Sequence, residues 1–186
     1  MAIPRRQNMR TSKKELLITT AIDIIEREGL EALTYDSLSQ ATKMSKSGLI
    51  YHFPSRHAML QDINDYLAHS WEEQLIDALD VPLPESTVEQ RVLASLEVFS
   101  EHASLSDLLL TLDATNVPEY RKTWEKTLEK WAFPRDVIDS EPKKYLIHLI
   151  AAGLWIHDYI SPFSLNGTER KKLIDTAQEL LSEETQ

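Results

Sequence analysis

The segment KSGLIYHFPSR, residues 46–56, carries side chains that suit contact with a nucleic acid. Lysine and arginine bind phosphate oxygens, and the hydroxyl of Ser47 can donate or accept a hydrogen bond at a base edge. Tyr51 can pack against a thymine methyl group or bind a phosphate. Arg56 falls at the start of a predicted helix, where its charge and the free backbone amides together favour a phosphate. The segment therefore predicts a surface that contacts DNA.

Two short helices joined by a turn near Lys43 are expected to position these side chains. The residues spaced to bury one side of both helices are Leu38, Ala41, Met44, Leu49 and Phe53, and an earlier amphipathic helix supplies the opposing stripe. Three helices with a tight turn between the last two form a helix-turn-helix. The pattern alone leaves open a structural three-helix bundle whose polar residues are exposed incidentally.

Within the second short helix, Ser45 is predicted to be the N-cap. If Leu49 and Phe53 face inward, Ser47 and Tyr51 point most directly outward. Gly48 costs about 1 kcal/mol of helix propensity relative to alanine. That cost is expected where the helix must approach a groove closely.

Charge is distributed unevenly along the 186 residues, whose formal net charge is -10. Residues 1–57 hold nine Lys/Arg against six Asp/Glu, whereas the remainder is strongly acidic. Such asymmetry favours a basic end that faces a polyanion, although an ordinary solvated tail remains the alternative. The N-terminal basic residues, predicted to clamp the DNA backbone or reach a minor groove, are Arg5, Arg6, Arg10, Lys13 and Lys14.

The whole chain is predicted to be helical, because it has only four glycines and no run of alternating β-branched residues. Three helix starts are indicated by a serine with an acid three positions later: Ser12/Glu15, Ser86/Glu89 and Ser104/Asp107. Pro118 and Pro142 suit the first turn of a helix. Helices are predicted at residues 12–28, 36–42, 46–52, 55–79, 86–103, 105–115, 118–131, 141–161 and 167–183.

The segment from Leu33 to Leu60 resembles the DNA-binding domain of the TetR family of transcriptional repressors. The resemblance extends over roughly residues 10–60 and rests on the run from Ser45 to Phe53 followed by Arg56. It is similar in particular to multidrug-sensing repressors of efflux pumps. Lys43 departs from the family's usual turn glycine, and Ile50 stands where a phosphate-contacting tyrosine is common.

The resemblance implies an all-α, nine-helix architecture with a three-helix head and an antiparallel helical body. The head is expected to span residues 10–70, with the helix-turn-helix at 33–52, and the ligand-binding and dimerisation body to span 71–186. A ligand would shift the fourth helix like a lever. The expected DNA-binding residues are Lys13, Lys14, Tyr35, Lys46, Ser47, Gly48, Tyr51, His52 and Arg56.

A ligand cavity inside the body is also implied by the resemblance. Aromatic side chains concentrate there, and acids lie on apolar helix faces, so a lipophilic, planar cation could be held by charge and cation–π contact. The alternative is that the rings are core and the acids are caps or surface residues. The expected ligand-binding residues are Leu67, Trp71, Phe99, Leu109, Asp113, Trp124, Trp131, Trp155 and Asp158.

The resemblance implies a homodimer closed by the last two helices. The helix at 141–161 is apolar nearly all round, and its small residues would permit close helix approach. The alternative is ordinary core within one chain. The residues expected at the seam are Ala151, Ala152, Gly153, Leu173, Ile174, Ala177, Leu180 and Leu181.

Several classes of protein have no support in the sequence. The chain lacks cysteine, which excludes thiol catalysis and disulfides, and no nucleotide-binding or nucleophile motif is found. His102, His148 and His157 lack metal-ligand spacing. The longest apolar run is shorter than the roughly 20 residues of a membrane span. We therefore expect a cytoplasmic protein without cofactor, metal or enzymatic activity, which joins the nucleoid when bound to DNA.

Taken together, these patterns predict a repressor of a multidrug efflux or stress gene. It would bind a palindromic operator in double-stranded DNA as a homodimer and release it when a small-molecule inducer binds. The alternatives are a transcriptional regulator without a small-molecule ligand and a helical protein-interaction module.

Overall fold

The computed structural model describes residues 12–101 and 103–182, and this part of the chain is all-helical. Each of the nine predicted helices is present, which confirms the fold class. A further short helix occurs in a segment predicted to be a break. The helices are α1 (Lys13–Glu28), α2 (Tyr35–Thr42), α3 (Lys46–His52), α4 (Arg56–Asp77), α5 (Val88–Ser100), α6 (Leu105–Ala114), α7 (Pro118–Leu128), α8 (Val137–Ser140), α9 (Pro142–Ile160) and α10 (Gly167–Ser182).

Side-chain caps set several of the helix starts. Capping boxes at Ser12/Glu15 and Ser104/Asp107 begin α1 and α6 as predicted. Pro118 and Pro142 each occupy the first turn of a helix, also as predicted.

The predicted cap of α5 is wrong by one residue. Thr87 caps this helix, and the Thr87 amide donates to the Gln90 side chain at 2.8 Å. The Ser86 hydroxyl instead donates to the Leu83 carbonyl of a preceding 3-10 turn. Because threonine with glutamine three positions later satisfies the same two orphan amides, the neighbouring pair takes the cap.

The chain divides into two compact units between Ile63 and Asn64, a point inside α4. The first unit contains α1, α2, α3 and the start of α4. Its core holds side chains from each of these elements, all at most 3% exposed: Leu17, Ala21, Ile25, Leu33, Leu38, Leu49, Phe53, Met59, Leu60 and Ile63. The stripe predicted for the first helix is confirmed as core, as are Leu38, Leu49 and Phe53 of the two short helices. Ala41, also predicted to be buried, is exposed, and Met44 is half-buried in the turn.

The turn between α2 and α3 is left-handed at its first residue. Lys43 ends α2 with φ 57° and ψ 19°, and it is the single non-glycine residue with positive φ in the described ranges. The Ser39 hydroxyl donates to the Met44 carbonyl at 2.7 Å and holds the turn closed. Lysine therefore adopts the conformation for which glycine is usually selected.

The second unit contains the rest of α4 and the helices from α5 to α10. Its main core forms where α5, α9 and α10 pack together, around Val92, Leu96, Ile147, Leu154 and Ala177. A smaller cluster joins α4 and α5 to the segment after α7, at Leu75, Ala94 and Trp131. Apolar side chains at steps of three and four form a buried stripe along α4, every member at most 8% exposed: Leu60, Ile63, Leu67, Trp71 and Leu75.

No helix within residues 12–101 and 103–182 is both long and apolar enough to cross a membrane.

Candidate nucleic-acid interface and ligand cavity

Helix α3 is anchored on one face and open on the other. The Ser45 hydroxyl accepts a hydrogen bond from the Gly48 amide at 3.2 Å and begins the helix, as predicted. Leu49 and Phe53 are fully buried, whereas Tyr51 is 84% exposed. Burial of this i,i+4 pair holds the helix against the core. The opposite face, which carries Tyr51, is open to solvent.

Gly48 has a packing role within the helix-turn-helix itself. A β-carbon at this position would lie 2.9 Å from the Met44 Cγ atom and 3.3 Å from the Ser45 hydroxyl. The close approach expected from the sequence is therefore made to the turn residue Met44. Contact between Gly48 and DNA remains a prediction.

Two of the predicted phosphate-binding lysines lie in exposed ion pairs. The Lys46 Nζ atom lies 2.6 Å from an Asp36 carboxylate oxygen, and Lys14 lies 2.7 Å from Asp62. Exposed pairs of this kind contribute about 0–1 kcal/mol, so a phosphate can displace the carboxylate at little cost. Lys13 is also exposed.

Two further residues predicted to bind DNA make long-range hydrogen bonds within the first unit. The Tyr35 hydroxyl donates to the Phe53 carbonyl at 2.5 Å. The Arg56 guanidinium donates to the Leu30 carbonyl at 3.2 Å and lies 3.9 Å from the Glu31 carboxylate. The Tyr35 bond joins the start of α2 to the end of α3, and the Arg56 bond joins the start of α4 to the turn before α2. Both residues therefore position the helix-turn-helix, and their contact with DNA stays a prediction.

The remaining predicted residues lie on the open face of α3 or at its end. The Ser47 and Ser45 hydroxyls share a hydrogen bond of 3.1 Å. His52 is half-buried, and its ring meets the Tyr51 ring edge-on at 5.3 Å. Arg5, Arg6, Arg10 and His102 lie outside the described residues.

The second unit contains a cavity of about 390 Å³. Four of the nine predicted ligand-binding residues line it, namely Trp71, Phe99, Trp124 and Trp155. The sequence interpretation missed the other wall residues, which are Thr111, Ala114, Thr115, Arg121, Glu125, Leu128, His148 and Ala152. Four of the twelve wall residues lie on one face of α7, at i, i+3, i+4 and i+7 spacing: Arg121, Trp124, Glu125 and Leu128. This helical periodicity is visible in the sequence and could have identified that side of the cavity.

The aromatic side chains of the cavity contact one another around Trp71. The Phe99 ring lies 4.6 Å from the Trp71 ring, and Trp155 and Trp124 meet Trp71 nearly at right angles at 5.7 and 6.5 Å. Edge-to-face and offset arrangements of this kind are the favoured ones for aromatic pairs. The Trp124 indole N–H donates to the Asn64 side-chain oxygen of α4 at 2.8 Å.

The other predicted ligand-binding residues do not line this cavity. Trp131 is 1% exposed and packs against Leu75 and Ala94. Leu67 belongs to the buried stripe of α4. Leu109 and Asp113 are half-buried on α6 and do not contribute to the cavity wall. The aromatic residues were correctly grouped in this unit, but Trp131 and Leu67 are used as core.

Asp158, also expected to bind ligand, does not line the cavity and is hydrogen-bonded between α9 and α10. Its carboxylate accepts a hydrogen bond from the Arg170 guanidinium at 2.8 Å, and Arg170 also donates to the Ser100 and Leu154 carbonyls. Burial opposes ionisation of this carboxyl, but the hydrogen bonds from Arg170 and the Leu165 amide hold the Asp158 pKa below its ordinary value. The Asp158 carboxylate therefore links α9 to α10 through its ion pair with Arg170.

Charged and titratable groups on the cavity wall are neutralised locally. The Arg121 Nε atom lies 3.4 Å from the Glu125 carboxylate one turn along α7. Burial lowers the pKa of His148, so its imidazole is uncharged at neutral pH. Across residues 12–101 and 103–182, no group of three His, Asp or Glu side chains could hold a metal ion.

Residues 17–63 match the family model described as bacterial regulatory proteins, tetR family. This part of the chain is therefore similar to the TetR family. The matched residues run from within α1 through α2 and α3 to the start of α4, and the match confirms the resemblance found in the sequence.

Curated TetR-family relatives extend the similarity into the second unit. The chain is 23% identical over 168 residues to the uncharacterised HTH-type regulator YerO of Bacillus subtilis, covering 83% of this chain and 57% of YerO. It is 25% identical over 148 residues to the regulator EthR of Mycobacterium tuberculosis, covering 74% of this chain and 68% of EthR. The chain thus spans little more than half the length of YerO. The family model and both relatives are described as transcriptional regulators.

Solved structures share the fold of this chain. The multidrug-binding protein EbrR, solved with imidazole, aligns with a TM-score of 0.59 at 13% identity, over 91% of this chain and 94% of EbrR. The regulator SCO7518 from Streptomyces coelicolor A3(2) aligns with a TM-score of 0.59 at 16% identity, over 92% of this chain and 99% of SCO7518.

Proposed function

We propose that the protein is a cytoplasmic transcriptional repressor that binds a palindromic operator as a homodimer. It releases the operator when a lipophilic small molecule occupies the cavity of the second unit. Genes for multidrug efflux or stress defence are the proposed targets. The observation that carries the DNA-binding part is the open face of α3, which is fixed from behind by Leu49 and Phe53 and presents Tyr51 to solvent.

The proposed reading face consists of Ser47 and Tyr51, which contact base edges and thymine methyl groups in the major groove. Lys46, Lys13 and Lys14 bind the phosphates that flank the groove. Release of their carboxylate partners costs little, because both ion pairs are exposed. A dimer places its two α3 helices in successive major grooves, about 34–36 Å apart.

An exposed apolar surface on α9 and α10 supports the dimer. It comprises Leu146, Leu149, Tyr159, Ile160 and Leu173, with the nearby Phe163, all at least 40% exposed. A β-carbon on Gly153 would meet no atom within 4 Å, so the helix is open to close approach there. Ala151 and Ala177, expected at the seam, are instead buried in the core of their own chain, and Ile174, Leu180 and Leu181 pack against it.

Ligand binding is proposed to reach α4 through Trp124. The same indole ring lines the cavity and donates its N–H to Asn64, a fully buried residue of α4. A ligand that moves this ring changes the hydrogen bonding of the helix that continues into the first unit at Arg56. To release DNA, the ligand must bind the free form more tightly than the operator-bound form, typically by about 1–3 kcal/mol.

The DNA-binding part is tested by gel shift on the DNA that flanks the protein's own gene. Tyr51→Ala is expected to weaken binding about tenfold or more, because a contact to a base is worth roughly 1–3 kcal/mol. The melting temperature should change little, since the side chain is solvent-exposed. Failure to bind any duplex at low salt would eliminate the proposal.

Salt dependence separates the phosphate contacts from base contacts. Lys46→Ala should weaken binding to all duplexes and reduce the slope of log affinity against log salt by about one. Lys122→Ala is the matched control, because Lys122 is an equally exposed lysine on α7. Equal effects of the two substitutions would contradict the assignment of Lys46.

A further inference from the structure

The cavity wall carries one carboxylate, and that carboxylate is already paired. Among the residues that line the cavity in the described ranges, Glu125 is the single acid, and its carboxylate lies 3.4 Å from the Arg121 guanidinium at the exposed edge of the wall, where both side chains are more than half exposed. Asp113 and Asp158, the other acids considered for this site, do not line it. The wall therefore offers no uncompensated negative charge to a ligand.

Two of the polar groups on the wall are also engaged. The Trp124 N–H donates to Asn64, and the Thr115 hydroxyl donates to the Leu112 carbonyl at 2.7 Å. By contrast, the Thr111 hydroxyl and the ring nitrogens of His148 have no hydrogen-bond partner within residues 12–101 and 103–182. Burial lowers the pKa of His148, so this ring is a neutral donor or acceptor.

Taking the proposed ligand-responsive function as its basis, we infer that the cavity selects an uncharged, flat aromatic molecule with a hydrogen-bond acceptor and discriminates against organic cations. The aromatic cluster around Trp71 supplies faces and edges for such a ligand. A volume of about 390 Å³ suits a small molecule of a few fused rings. A buried cation would lose its hydration without a counter-ion, and cation–π contacts compensate only in part.

The selectivity is tested with two dyes of nearly the same shape and different charge. Acridine is uncharged at pH 8, and N-methylacridinium is a permanent cation. Equilibrium dialysis of each dye against the full-length protein should show binding of acridine at least about tenfold tighter, because the cation is desolvated without a partner.

Arg121→Gln tests the role of the ion pair directly. This substitution frees the Glu125 carboxylate, so affinity for N-methylacridinium should rise relative to that for acridine, by about twofold to fivefold because the pair is exposed. Arg27→Gln is the matched control, because it removes the arginine of another i,i+4 pair, on α1 in the other unit. An unchanged dye preference in Arg121→Gln would show that the pair does not set selectivity.

Substitutions of two wall threonines test whether the wall donates a hydrogen bond to the acceptor atom of the ligand. Thr111→Val removes the unengaged hydroxyl and should weaken acridine binding about threefold to tenfold, whereas Thr115→Val removes one already donated to Leu112. Equal losses in both variants would exclude a specific bond from Thr111.

The possible outcomes separate this inference from the function on which it rests. If N-methylacridinium binds wild type as tightly as acridine or more tightly, the inferred selectivity is wrong and the ligand-responsive repressor stands. If neither dye binds, the cavity is not a ligand site for aromatic molecules, and both the inference and the ligand response are overturned. DNA binding measured by gel shift remains independent of either result.

Discussion

Lys43 adopts a left-handed backbone conformation in the turn that separates α2 from α3. For a residue with a β-carbon this conformation costs about 1–2 kcal/mol. The neighbouring bonds that hold the turn, including Ser39 to the Met44 carbonyl, do not involve the lysine side chain. The side chain is exposed, so it offers no packing in return.

Lys43→Gly should therefore raise the free energy of unfolding by about 1 kcal/mol, because glycine adopts positive φ without the steric cost. Urea denaturation followed by circular dichroism measures the change. Lys122→Gly, in the interior of α7, is the control and should lower stability by about 1 kcal/mol. A loss of stability in Lys43→Gly would mean that the lysine side chain contributes to the turn.

His148 makes the stability of the protein depend on pH. In the unfolded chain a histidine takes up a proton with a pKa near 6.5, whereas burial lowers the pKa of the folded His148. Between these two values the unfolded state binds more protons. The free energy of unfolding should therefore fall as pH drops below about 6.5, by at most about 1.4 kcal/mol per pH unit from this group.

Urea titrations of wild type and His148→Gln at pH 7.5 and pH 5.5 measure this contribution. The variant should lose less stability than wild type over the interval, because glutamine does not titrate. Identical losses in the two proteins would assign the acid sensitivity to other groups.

Local patterns predicted the buried and exposed faces of α3. They did not predict the hydrogen bonds that Tyr35 and Arg56 make within the first unit. Leu49 and Phe53 follow from helical spacing alone. The bonds of Tyr35 to Phe53 and of Arg56 to Leu30 join residues 18 and 26 positions apart. Such pairings depend on how the helices pack, and no spacing in the sequence encodes them.

At the scale of elements, α7 is bonded to α4 beside the cavity, whose wall α4 also reaches directly through Trp71. Trp124 faces the cavity and bonds the buried Asn64, and Thr123 donates to Asp65 one position along α4 at 2.8 Å. Near the end of α7, Lys130 lies 2.6 Å from Glu72. The two helices are thus held by polar contacts over several turns, which favours their movement as a pair.

Trp124→Phe should preserve an aromatic cavity wall but remove the hydrogen bond to Asn64. Stability should fall by about 1 kcal/mol, and ligand should release less operator because the link to α4 is weakened. Trp155→Phe is the matched control. Trp155 lines the same cavity but, within the described residues, makes no hydrogen bond to α4. Thermal melts and gel shifts with and without ligand compare the two variants. Equal loss of response in both would argue for a general effect on the cavity.

The positions and approximate lengths of the helices were predictable from caps and periodicity. Which of two adjacent cap residues begins a helix was not. Ser86 and Thr87 both satisfy the sequence rule for an N-cap, and the 3-10 turn before α5 recruits Ser86. The short helix α8 was missed for a similar reason. Its four residues are too few to show a period.

For the whole molecule, the apolar surface on α9 and α10 predicts assembly. Leu149→Glu should produce monomers in sedimentation analysis, because a charge at a desolvated seam has no partner. Leu112→Glu is the matched control on α6, since Leu112 is 55% exposed and Leu149 is 53% exposed. A dimer that persists in Leu149→Glu and dissociates in Leu112→Glu would place the interface elsewhere.

The family and the helical architecture could be predicted from the sequence, since the first unit carries a specific pattern. The apolar character of α9 was equally clear, but its division into core and exposed faces was not. Ala151 and Ala152 are neighbours of the same type, yet Ala151 is buried and Ala152 lines the cavity. Only the packing of α5 and α10 against α9 distinguishes them.

The position of the tryptophans has an optical consequence. All four lie between Trp71 and Trp155 in the second unit, and the first unit has none. Trp124 and Trp155 lie 6.5 and 5.7 Å from Trp71, close enough for excitation energy to migrate among the three indoles. One bound molecule that accepts this energy would quench the fluorescence of all three tryptophans at once. The intrinsic emission therefore reports on events in the cavity unit, and a separate label is needed to observe the DNA-binding unit.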